Sequence, residues 1–145
     1  RSAAIHEQAS FAIAASGVLA FLFPGARTLG ETVPVGPVSQ SLVLEFILTT
    51  ILMTVILAVS TGAKEKGITA GVAIGSVVAF EAMFAGPISG ASMNPVRSLA
   101  PAVVSGNLQH LWLYLVATIF GALLAVPLCS SIRGQKCCGA PTTDP

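Results

Sequence analysis

The chain has 145 residues, 54% of them apolar and 9% charged, with a formal net charge of +1 and a mean hydropathy of +0.85. A soluble domain carries roughly 25% charge, so a composition this apolar, gathered into blocks of spanning length, belongs to a chain built for a lipid bilayer. No basic stripe runs along any segment, which excludes an electrostatic nucleic-acid interface.

Four blocks have the length expected for about 30 Å of hydrocarbon: residues 5–23, 42–60, 68–85 and 111–132. The first begins close to Arg1 with His6 and Glu7 at its edge, and the opening residues lack the ordered regions of a signal peptide. Arg1 in place of Met reads as a truncated start. Residues 24–40, punctuated by Pro24, Gly25, Gly30, Pro34, Gly36 and Pro37, form an external connection. Lys64 and Lys66 follow the second block, and Arg133 and Lys136 follow the fourth. The positive-inside rule puts both of those sides, and the tail 133–145, in the cytoplasm. Trp112 and Tyr114 open the fourth block as interfacial aromatics. Gly71 and Gly75, at G-x-x-x-G spacing, and Ala12, Ala15, Ser16 and Gly17 allow close helix approach, either as generic packing or as an oligomer contact.

Between the third and fourth blocks, residues 86–107 are too polar and too rich in Gly and Pro for a spanning helix. Asn is a preferred N-cap and Pro is favoured at the first helical position, so Asn94-Pro95 starts a helix, and Gly106-Asn107 stops it. About two turns cover only half of a bilayer core, which makes this a re-entrant half-helix dipping in from the outer face. The irregular backbone at Gly90, Ala91, Ser92 and Met93 is tolerated at membrane depth only against water or protein. Arg97 at depth costs at least roughly 2.5 kcal/mol on insertion scales, so it is expected to face a wet cavity and to be held by backbone carbonyls, with snorkelling to the outer interface as the alternative. Glu45, one turn inside the second block, is expensive without a partner. Glu81 adjoins Ala82 but points about 100° away from it, and is expected at the interface or against another chain. His6 and His110 stand apart, so neither a metal site nor a cofactor is expected. Cys129 reads as core or lipid-facing, and Cys137-Cys138 as a reduced pair or a palmitoylation site. No nucleophile with a base and no phosphate loop is arranged for catalysis, so an enzyme is not expected.

The run Gly90-Ala91-Ser92-Met93-Asn94-Pro95-Val96-Arg97-Ser98-Leu99, preceded by Ala85-Gly86-Pro87-Ile88-Ser89 and followed by Pro101-Ala102-Val103, resembles the second Asn-Pro-Ala box of the aquaporin, or major intrinsic protein, family. Leu44-Glu45-Phe46-Ile47 and Gly121-Ala122 also look like their family counterparts. The resemblance implies an all-α membrane fold, a right-handed aquaporin-type bundle. This chain would supply four spanning helices and one re-entrant half-helix, the C-terminal half of a six-helix channel. Asn occurs only at Asn94 and Asn107, so the first box is absent from this sequence. The resemblance implies that an N-terminal half completes the pore, either because the chain is a fragment or because something else supplies that half.

By the same resemblance Asn94, Pro95 and Val96 form the box, and Arg97, Ala82 and Ala91 belong to the selectivity filter. The carbonyls of Gly90, Ala91, Ser92 and Met93 line the pore, and Glu45 supports the loop. The box departs from the family in reading Asn-Pro-Val, and Ala82 stands where water-selective relatives carry His. A small residue at 82 with Arg97 retained is similar to the nodulin-like intrinsic proteins and their bacterial relatives. That likeness implies a passive channel for small uncharged solutes (glycerol, urea, boric or arsenous acid) and water. It would be a homotetramer, multi-pass in a plasma or inner membrane. A water-selective aquaporin, half of a coupled transporter built on broken helices, and a non-conducting fragment remain as alternatives.

Overall fold

In hydrocarbon an unpaired backbone N–H or C=O costs several kcal/mol, and a helix satisfies both within one segment. The computed structural model, which describes residues 2–25, 30–60 and 68–133, resolves this demand with helices, and no strand occurs among the described residues. They are α1 (Ser2–Leu22), α2 (Val38–Ser60), α3 (Ile68–Ser89), α4 (Pro95–Ser105) and α5 (Leu111–Arg133). Three segments, Val38–Ser60, Thr69–Ser89 and Leu111–Ile132, are long and apolar enough to cross a membrane, and Glu7–Leu22 of α1 is a shorter apolar helix.

Two helix ends differ from the hydropathy reading by four residues. α2 starts at Val38 instead of 42, because the N–H groups of Gln40 and Ser41 bond back to Pro37 O at 3.0 and 3.3 Å and form a polar first turn. α3 continues past 85 to Ser89. Pro87 removes one donor there, yet Gly90 N still bonds to Gly86 O at 3.0 Å, so the ladder survives the proline. The loop carrying Lys64 and Lys66 and the tail with Lys136, Cys137 and Cys138 lie outside the described residues.

α2 packs against α5 and α3, while α4 packs against α1 and α5. The α2–α5 seam is tight because Gly121 has no side chain: a Cβ there would fall 2.7 Å from Phe46 O and 3.0 Å from Thr49 Cβ. Thr50 Oγ1 is shared at this crossing between Phe46 O (2.7 Å) and Gly121 O (3.2 Å). Leu113, Ala117, Gly121, Ala125 and Cys129 recur every four residues and make the buried face of α5. On the other side of α2, Leu48 and Leu52 join Ala85, Ala91 and Met93 in an apolar cluster, with Ile74 and Val77 packed on it.

Glu81 occupies the α3 face shared with Val77 and Ala85, so its carboxyl turns into the α2–α3 seam instead of reaching an interface. The residue is 2% exposed, and neither carboxyl oxygen has a hydrogen-bond partner among the described residues. Around Gly71 and Gly75 no described atom lies within 4 Å of where a Cβ would sit, so this G-x-x-x-G spacing makes no contact inside the described residues.

Candidate functional site

The site begins where α3 ends. Gly90 (φ 86°), Ala91 (φ 44°) and Met93 (φ 54°) lie in the left-handed region and turn the chain sharply. Gly90 is needed for more than its dihedral, because a Cβ would lie 3.1 Å from Thr32 Cα. For Ala91 and Met93 the left-handed conformation costs about 1 kcal/mol or more each. That cost is offset by Glu45, fully buried at 0% exposure. Its carboxyl accepts Ser92 N at 2.8 and 3.0 Å, Met93 N at 3.0 Å and Ser89 Oγ at 2.7 Å. Glu45 therefore lies behind the turn as an acceptor for its inward N–H groups. Tyr114, expected from the sequence as an interfacial aromatic, is instead fully buried and completes the back wall by donating to Ser89 O at 2.6 Å.

Asn94 then changes the chain back to helix. Its backbone is extended (φ −147°, ψ 124°), its Oδ1 accepts Val96 N at 2.9 Å, and Pro95 takes the first helical position. α4 runs for 11 residues and closes on Gly106 in the left-handed conformation (φ 79°). At 1.5 Å per residue it is about 16 Å long, close to half of a hydrocarbon core. With Oδ1 spent on the cap, the Nδ2 amide of Asn94 has no acceptor among the described residues and is available as a donor. It sits beside the positive end of the α4 dipole.

Ala82, Gly90, Ala91, Ser92, Met93, Asn94, Pro95, Val96 and Arg97 all border one cavity of about 1130 Å³, open along part of its wall. Thr49 of α2 and Thr118 of α5 contribute further polar lining. Ala82 sits with Val78 and Gly86, one turn to either side of it, on the cavity face of α3. Val96 lines the cavity as well as donating to Asn94. Arg97 is exposed along the cavity, and no hydrogen bond or ion pair among the described residues holds its guanidinium. The carbonyl clasp expected for it is therefore not supplied by them. No group of three or more His, Cys, Asp or Glu occurs among the described residues.

Sequence reasoning missed a chain of hydroxyls. Thr32 Oγ1 and Ser98 Oγ are 2.6 Å apart, Ser98 Oγ and Ser92 Oγ are 2.6 Å apart, and Ser92 Oγ donates to Asn94 O at 2.8 Å. The one available signal was that Ser92 and Ser98 stand in apolar surroundings, where buried hydroxyls find partners. Thr32, 66 residues before Ser98, gave no local sign of being that partner.

A helical membrane chain whose broken segment caps on Asn-Pro beside a lined cavity is the pattern of a known class, and the chain belongs to the major intrinsic protein family, whose model matches residues 4–128. It is 44% identical over 127 residues to aquaporin NIP1-4 of Oryza sativa subsp. japonica, covering 87% of this chain and 46% of that protein. It is 43% identical over 122 residues to nodulin-26 of Glycine max (83% and 45%) and 41% identical over 120 residues to aquaporin NIP6-1 of Arabidopsis thaliana (83% and 39%). The chain thus spans less than half the length of these relatives. Family and helices together make it an integral membrane protein.

Proposed function

We propose that this chain forms one half of a passive channel for small uncharged solutes and water. The observation that carries the reading is the single cavity bordered by Asn94, Arg97, Ala82 and Ala91. The Asn94 amide and the Arg97 guanidinium are donors, and the carbonyls from Gly90 to Met93 are acceptors, a combination suited to a neutral hydroxylated solute such as glycerol, urea, boric acid or arsenous acid. The α4 dipole and Arg97 present positive charge to the path and oppose cations and protons. Small side chains at positions 82 and 91 leave room for more than water. No step in this function requires bond chemistry.

The open wall of the cavity and the exposed apolar faces of α1 and α3, with Phe11, Phe21, Phe80 and Met83 outward, support a second half that closes the pore and a homotetramer around it. In this reading the whole sequence is a single membrane unit, α4 enters from the outer face, and the C-terminal tail is cytoplasmic in a plasma or inner membrane. Stopped-flow swelling of vesicles carrying the assembled channel tests the proposal. Entry of glycerol, urea or a metalloid acid above the protein-free rate is expected. Permeability to water alone overturns the solute reading, and saturable, ion-dependent uptake overturns the passive one.

A further inference from the structure

In the connection before α2, Glu31, Thr32 and Val35 are each tied to the region from the end of α3 to the end of α4. Val35 N donates to Ile88 O at 3.0 Å, at the end of α3. Thr32 lies so close to Gly90 that a Cβ there would come within 3.2 Å of its side chain. Thr32 also bonds Ser98 in the first turn of α4, and Glu31 Oε2 accepts from Asn107 Nδ2 at 3.0 Å just beyond the α4 cap. These ties hold both ends of α4 and the turn before it.

The hydroxyl chain has only one consistent direction. Ser92 Oγ spends its hydrogen on Asn94 O, so toward Ser98 it accepts. Ser98 therefore donates to Ser92, and its own acceptor site is filled by Thr32. Thr32 (8% exposed), Ser98 and Ser92 (2% each) are buried, so removing one hydroxyl breaks the chain at its partner. The chain ends on the carbonyl of Asn94, whose Oδ1 caps α4 and which borders the cavity. Asn94 is thus clamped from two sides, by Glu45 through the backbone of Ser92 and Met93, and by Thr32 through hydroxyls. The inner clamp fixes the turn, and the outer one fixes the Asn94–Pro95 peptide plane.

We propose that Thr32 is a positioning residue for solute selection: acting through Ser98 and Ser92, its hydroxyl sets the orientation of Asn94 and so the direction in which the Asn94 amide meets the solute. The external segment then contributes to discrimination at the tip of α4 without touching the solute there. This inference rests on the channel reading above.

Two variants test it. Thr32→Val keeps the shape and removes the hydroxyl, and Thr32→Ser keeps the hydroxyl. In the assembled channel in lipid, solid-state NMR reports the Asn94 carbonyl and side-chain amide resonances, and stopped-flow reports the ratio of glycerol to water permeability. Thr32→Val is expected to move the Asn94 resonances and change the ratio roughly two- to tenfold, the effect of one net hydrogen bond, whereas Thr32→Ser matches the parent in both. Unmoved Asn94 resonances in Thr32→Val, equal ratios in Thr32→Val and parent, or matching behaviour of the Val and Ser variants overturn the proposal. If the parent passes neither water nor solute while Thr32→Val alone moves the Asn94 resonances, the channel reading fails and the positioning of Asn94 by Thr32 stands.

Discussion

Glu45 holds Ser92 through both carboxyl oxygens, at 2.8 and 3.0 Å from one backbone nitrogen, across 47 positions of sequence. A buried acceptor thereby pins a turn that contains two non-glycine residues in the left-handed region. Without it, the N–H groups of Ser92 and Met93 would be orphaned away from water.

Glu45→Ala is expected to lower the stability of the chain in detergent micelles by about 2–4 kcal/mol, since buried donors lose a strong acceptor. Glu45→Gln keeps one acceptor oxygen and is expected to lose about half as much. Thermal unfolding of the two variants beside the parent checks the order. Equal stability of all three would separate the turn from its acceptor.

Gly121→Ala is expected to destabilise by about 1–3 kcal/mol, because the new methyl meets backbone on α2 and the helices must part. Gly71→Ala, with open space around it, serves as the contrast and is expected to change the same melting curve little.

Within the proposed channel, Ala82→His narrows the cavity face of α3. The glycerol-to-water permeability ratio is expected to fall about tenfold, equivalent to a barrier difference of about 1.4 kcal/mol. Equal suppression of both fluxes would remove Ala82 from the filter.

Arg97→Ala removes the one full positive charge bordering the cavity among the described residues. Planar-bilayer recordings are expected to show cation leak raised about tenfold or more over the parent, given the Coulomb energy of a nearby unit charge. An unchanged leak would leave cation exclusion to the α4 dipole.

What the sequence disclosed depended on how local the physics was. Asn94, Pro95 and Gly106 were legible because a cap is decided within a few residues. The apolar blocks were legible because lipid imposes their length. The ends of α2 and α3 were not, since hydropathy tracks contact with lipid whereas helix ends track backbone bonding, and Val38 and Ser89 satisfy only the second. Glu45 was found as a costly carboxyl, but its partners came through resemblance. Glu81 was misplaced at an interface because its angle from Ala82 says where it does not point, while only packing reveals the seam that receives it. Thr32 and Gly121 depend on approaches between distant segments and carried no local mark.

The positive φ of Ala91 bears on how the proposed channel could change over generations. A left-handed residue beside buried neighbours accepts few replacements, so position 91 has little freedom to explore new side chains. Ala82 sits on an ordinary helical turn and is exposed along the cavity. A lineage altering what passes would find its variation at 82, while 91 stays small, and the two positions that share a cavity differ in how far mutation can move them.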